Sequence, residues 1–112
     1  MRRGEVVLVE WIHSDLTVGK RRPAIVVQAD FLNALIANTV LIQVTKTVRQ
    51  SATEVLIDPT QEPASGLRFV SVASCHNFLT VQQARVGKTL GSLSTGLMQH
   101  IETRLKVALE LP

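Results

Sequence analysis

The hydrophobic period of this chain changes once, at Ser94. Before that point apolar residues come in short runs: Glu5 to Trp11, Pro23 to Gln28, Val40 to Thr45, Thr53 to Ile57, Arg68 to Cys75 and Arg85 to Leu90. Runs of this length, rich in valine and isoleucine, read as strands. After it, Leu97, Ile101, Leu105, Ala108 and Leu109 recur at helical spacing, with Ser94 placed to cap and Glu102 four residues before Lys106 on the wet face. Several short strands followed by one helix predict a mainly β, α+β fold: a small curled sheet or barrel with a C-terminal helix packed on it. At 112 residues the chain suits a single domain spanning 1–112.

The connections are expected as follows. Ile12 to Arg22 reads as a loop, Asp30 as the cap of a short helical turn through Phe31, Leu32 and Leu35, and Gln61 to Gly66 as a turn. Asn77 to Gln83 reads as a turn or irregular segment, and Gly91 closes the last strand. Val40 to Thr45 alternates most clearly, so Gln43 and Thr45 share one face and Val40, Ile42 and Val44 the other.

Charge is distributed unevenly. From Met1 to Gln50 there are seven cations against four anions, and the remainder is balanced at five each. Lys20-Arg21-Arg22 leads into Pro23 and an apolar strand, a placement that puts fixed charge at the rim of a rigid sheet. Pro23 locks its own φ and biases Arg22 toward extended backbone, which aims the last guanidinium in a defined direction. If the strands are neighbours, this run and Lys46 and Arg49 make one basic surface suited to a polyanion, with a solvated basic turn as the plainer reading.

Other classes are disfavoured. No run is long or apolar enough to span a bilayer, and Met1-Arg2-Arg3 continues into Gly4-Glu5 without the apolar stretch of a signal peptide, so a cytoplasmic protein without membrane contact is expected. Cys75 is the only cysteine and permits no internal disulfide. Cys75-His76, His13 and His100 lack ligand spacing, and Gly87-Lys88-Thr89 lacks the framework of a phosphate loop, so neither metal nor cofactor is expected. Cys75 and His76, as strand neighbours, point to opposite faces and do not form a nucleophile pair.

Several of these segments, in order, resemble the MazF/PemK toxins of bacterial toxin-antitoxin pairs: Arg3-Gly4-Glu5-Val6-Val7, Arg22-Pro23 before an apolar strand, Val44-Thr45 at a strand end, Gly66-Leu67 before Ser71-Val72, Thr80-Val81, Arg85, and Gly91-Ser92-Leu93 before the helix. The resemblance covers nearly the whole chain. It implies an SH3-like barrel, a homodimer, metal-independent and sequence-selective cutting of single-stranded RNA, and neutralisation by a small cognate antitoxin. It places the catalytic arginine on Arg22 and the catalytic threonine on Thr45. Thr17 stands where many members carry a glutamate, and Leu79 where several carry a basic residue.

Cleavage of RNA without a metal needs a group to take the proton of the attacking 2′-hydroxyl, donors for the charged transition state, and a proton for the leaving 5′-oxygen. Arg22 suits the donor task, since its planar fork stays charged and binds two phosphate oxygens at once, and it can serve the leaving oxygen as well. Thr45 holds a phosphate oxygen. His13, beside Asp15 in the same loop, is the candidate base. Asp15, Lys20, Arg21, Gln43, Lys46, Asn77 and Thr80 are read as RNA contacts, Arg49 as a further phosphate contact, Phe78 as a stacking ring, and Trp11 and Phe69 as core. Two alternatives stay open: a non-catalytic nucleic-acid-binding module of the same fold, and a gyrase-directed toxin of the CcdB type. The latter type relies on a C-terminal tryptophan, whereas this chain ends Leu109-Glu110-Leu111-Pro112.

Overall fold

The computed structural model describes residues 1–112. Six antiparallel strands form one sheet: β1 (Glu5–Ile12), β2 (Val18–Val26), β3 (Asn38–Thr45), β4 (Glu54–Ile57), β5 (Ser71–Gln82) and β6 (Thr89–Ser92). A short helix α1 (Asp30–Leu35) joins β2 to β3, and helix α2 (Thr95–Leu109) closes the chain. Strand order is β4-β5-β3-β2-β1-β6, so the sheet has two free edges and is not a closed barrel. The expected mainly β sheet with a C-terminal helix is what forms.

Successive residues serve opposite faces, which is why the strands read as unbroken apolar runs. Val6, Ile25, Ile42, Val44, Ile57 and Ala73 face α2 and pack with Leu93, Met98 and Ile101. Val7, Val9, Trp11, Ala24, Val26, Leu41 and Val81 form a second core on the other side. Helix α2 starts where the sequence predicts. Ser94 Oγ accepts the Leu97 N–H at 3.2 Å, and Glu62 accepts both the Ser94 N–H and hydroxyl, at 2.8 and 2.7 Å. Glu102, however, pairs with Arg3 at 3.0 Å rather than with Lys106. No helix is long and apolar enough to cross a membrane.

Four expectations need correction. Ile12 to Arg22 is not a loop: β2 begins at Val18, so Lys20, Arg21 and Arg22 are strand residues joined to β1 by a turn at Ser14–Thr17. Asp30 does not cap α1; Ala29 occupies that position without a side-chain bond, and the Asp30 carboxylate accepts the Arg3 N–H at 2.7 Å. Asn77 to Gln83 is mostly strand, because β5 runs on to Gln82 opposite β3. The last strand is Thr89–Ser92, preceded by a 3-10 turn at Gln83–Arg85, and Gly91 lies inside it. A Cβ at Gly91 would stand 2.0 Å from the Ala64 carbonyl oxygen, so only glycine lets the turn at Pro63–Ser65 lie flat on this strand.

Gly66 ends that same turn at φ +74, and a Cβ there would meet the Leu90 carbonyl oxygen at 2.1 Å. Gly66→Ala combines left-handed strain with a backbone clash and should cost about 2–4 kcal/mol in urea unfolding. Unchanged stability would show that the turn does not rest on β6.

Candidate active site

A proline in a central strand shapes the site. In the β1–β2 pair Leu8 faces Pro23. Leu8 spends its N–H on the Lys88 carbonyl (2.9 Å) and its own carbonyl on the Gly87 N–H (2.8 Å), both on the β6 side. Facing residues in such a pair both direct their backbone groups outward, so the Pro23 nitrogen turns toward β3 without a hydrogen to give. The β2–β3 ladder stops accordingly at Ala24 opposite Gln43. Continued by two residues, that register sets Arg22 across from Thr45, where the strands have parted.

Arg22 and Thr45 line both of the clefts that flank this parting. The first, about 390 Å³, has Leu8, Pro23, Leu67 and Leu90 as apolar walls and carries Lys46, Arg68 and Lys88. The Lys46 ammonium lies 4.4 Å from the centre of the Phe69 ring. The second, about 520 Å³, is the more polar and holds His13, Gln43, Arg49, Asn77 and Phe78. The molecule has a single salt bridge, Arg3 to Glu102, and neither residue lines these clefts, so no cation in either cleft has a carboxylate partner. Thr45 Oγ1 accepts the Thr47 N–H at 3.2 Å, which leaves its hydroxyl hydrogen to donate. Glu54 accepts the backbone N–H groups of Arg49 and Ser51 at 3.2 and 3.1 Å, holding the segment that brings Arg49 in while its guanidinium stays unpaired.

The residues singled out from sequence divide. Arg22, Thr45, His13, Gln43, Lys46, Arg49, Asn77 and Phe78 come together at the clefts. Asp15, Lys20, Arg21 and Thr80 line neither. Asp15 is bound into the turn: the Thr17 hydroxyl and N–H donate to it at 2.6 and 3.0 Å, and these bonds hold its carboxyl below the usual range. Arg21 stands opposite Glu10 and alternates to the other face from Arg22. Thr80 pairs with Val40, five positions up β3 from Thr45. Trp11 is core at 4 % exposure, but Phe69 is not: it is 59 % exposed beneath Lys46. Arg68 and Lys88 are functional candidates that charge counting missed, since they belong to the half of the chain whose charges balance.

His13 owes its position to a neighbour. A Cβ at Gly19 would lie 2.7 Å from His13 Nε2, so the ring covers the space a side chain there would take. Cys75 is fully buried, and burial pushes its thiol up to about 11, an effect the Arg104 cation reduces only in part. It is no nucleophile. No three His, Cys, Asp or Glu side chains converge as a metal-binding group would require.

A small open β sheet with unpaired cations and a free hydroxyl around one gap defines the class: a protein with a cationic cleft face. The family model described as PemK-like, MazF-like toxin of type II toxin-antitoxin system matches residues 2–109, and the chain belongs to that family. Endoribonuclease MazF3 of Mycobacterium tuberculosis is 32% identical over 74 residues, covering 66% of this chain and 68% of that protein. A mycobacterial endoribonuclease solved in complex with its cognate antitoxin superposes with a TM-score of 0.84 at 25% identity, over 100% of this chain and 97% of that one. The Mycobacterium tuberculosis toxin MazF-mt6 shares the fold, with a TM-score of 0.80 at 24% identity over 96% of this chain and 98% of its own.

Two outcomes follow. Gly19→Ala should shift the His13 imidazole resonances in NMR spectra and leave those of His76 and His100 in place; unmoved His13 signals would separate the two residues. Since the unfolded thiol ionises near 9.0 and the buried one at about 11, the unfolded state loses its proton first, and stability should fall by about 2–3 kcal/mol between those values. Cys75→Ala should lack that share of the alkaline loss, and an identical loss would show the thiol is not buried in solution.

Proposed function

We propose that this protein is a metal-independent, sequence-selective endoribonuclease that cuts single-stranded messenger RNA as the toxin of a type II toxin-antitoxin pair. One observation carries the reading: Arg22 and Thr45 flank the gap between β2 and β3 and are the only two residues common to both clefts, with no carboxylate neutralising the guanidinium. A strand laid across the gap presents one phosphate to both side chains and its neighbouring nucleotides to the two clefts.

The chemistry is then an in-line displacement. The 2′-oxygen bonds to phosphorus as the bond to the 5′-oxygen breaks. The 2′-hydroxyl proton passes to the His13 ring, and the leaving oxygen is protonated by Arg22 or by water. The Arg22 guanidinium grips the non-bridging oxygens while their charge grows, a preorganised contribution of roughly 3–4 kcal/mol. The Thr45 hydroxyl donates to one of them. Lys46, Arg49, Arg68 and Lys88 position the flanking phosphates.

The family's pairing with antitoxins, and the mycobacterial neighbour solved with its own, support a small cognate antitoxin as the protein partner. It would neutralise the toxin by covering the cationic clefts. A homodimer would align two cationic faces across a twofold axis. A reduced, buried single cysteine suits the cytoplasm.

Purified protein incubated with a long single-stranded RNA in EDTA should yield discrete fragments ending in 2′,3′-cyclic phosphate. Binding without cuts, or cuts that need a divalent ion, would contradict the reading. Arg22→Ala should lower the single-turnover rate about 10²- to 10³-fold, and Thr45→Val about 10-fold. His13→Gln should lower the single-turnover rate about 10²-fold or more, and a rate unchanged by the substitution would take His13 out of the mechanism.

A further inference from the structure

The pairing of β5 with β3 breaks at one place. Ile42 faces Phe78, yet the next residue, Gln43, faces Ser74, so Cys75, His76 and Asn77 have no counterpart on β3. Three residues thrown out of a ladder lose their regular partners, and a feature of that kind persists only where something else holds it.

Here the connection before β4 does the holding. The Cys75 N–H donates to the Thr53 carbonyl at 2.8 Å. Thr53 Oγ1 lies 2.6 Å from His76 Nδ1, and Ser74 Oγ lies 3.4 Å from Nε2, so the imidazole is held at both nitrogens. The Cys75 side chain plugs the core on the other side.

At the outer end of this bulge the Asn77 amide donates to Gln43 Oε1 at 2.9 Å. Both amides line the second cleft beside Arg22 and Thr45, as does Phe78, 38 % exposed. Each amide fixes the other and keeps hydrogen-bonding capacity free: Asn77 its carbonyl oxygen and one N–H, Gln43 both N–H groups. Neutral amides and a ring add nothing to the charge that attracts phosphates. Oriented donors and acceptors next to an aromatic face are what an unstacked base needs.

We infer that the β5 bulge is the base-reading element of this protein: Gln43 and Asn77 read the edge of one nucleotide next to the scissile phosphate, Phe78 stacks on it, and Thr53 is the positioning residue that sets the bulge through His76. This inference rests on the RNA-cleaving reading, and its test separates the two.

An RNA pool randomised around the cut is cleaved under single-turnover conditions and the new ends are sequenced. The wild type should prefer one base at a position flanking the cut. Asn77→Asp, which exchanges a donor for an acceptor on an exposed side chain, should lower discrimination there about 10-fold and leave preferences at other positions as they were. Gln43→Glu should act at the same position. Thr53→Val should blur it too, and Thr53→Ser should restore it. Wild-type base preferences at every position in Asn77→Asp and Gln43→Glu would overturn the base-reading role, and in Thr53→Val would overturn the positioning role. If the wild type cuts nothing, the ribonuclease reading fails. Anisotropy of labelled oligonucleotides differing in one base then decides this inference: discrimination by the wild type that Asn77→Asp abolishes supports it, and equal binding of all four bases overturns it.

Discussion

A missing hydrogen on the Pro23 nitrogen organises this molecule. In a sheet interior each backbone N–H has a partner, and a proline placed with its nitrogen toward a neighbouring strand stops the ladder there. The β2–β3 ladder accordingly ends at Ala24 opposite Gln43. Below that point β3 is held by β5 instead, through Val44 opposite Ala73 and Thr45 opposite Val72. The sheet stays continuous while a gap opens between two strands that remain rigid on their outer sides. Arg22 is anchored by β1, where it faces Val9, and Thr45 by β5. Arg22 and Thr45 thus sit on independently supported strands and both line the clefts on either side of the parting.

The cations around that gap have no carboxylate partner. Glu54, the acidic side chain held beside Arg49, spends its carboxylate on backbone N–H groups rather than on a guanidinium. Asp15, nearest in sequence to His13, is spent on its own turn. With Glu54 and Asp15 turned to backbone and turn bonding, the face keeps an unneutralised positive field of the kind that favours a polyanion. The two clefts then differ in kind. One joins apolar walls to cations, and the other joins neutral amides to an aromatic ring.

Much of this was legible in the residues. The change of period at Ser94, its capping role and the alternation of Val40 to Thr45 all follow from local physics, and all appear in the structure. Arg22 and Thr45 could be singled out because one is preceded by a charge run and followed by proline, and the other ends the clearest strand. What could not be read depends on pairing. Lys20 and Arg21 look like loop residues because consecutive cations seldom make a strand, yet they extend the hairpin with β1. Asn77 to Gln83 lacks a clean alternation because its strand bulges at one end and is exposed at several positions of both faces. Phe69 reads as core from its type alone, while in the structure it is exposed and its ring lies beneath the Lys46 ammonium. Arg68 and Lys88 were invisible to any count of charge by segment.

The central claim is that Arg22 and Thr45 act as one device on one phosphate. A double-mutant cycle in single-turnover RNA cleavage measures this directly, because residues that serve a common transition state do not contribute additively. The structure predicts that, once Arg22 is alanine, converting Thr45 to valine costs little further rate. Strictly additive losses in the double variant would mean that the two side chains work on different phosphates, and the account of the gap as the catalytic centre would be wrong.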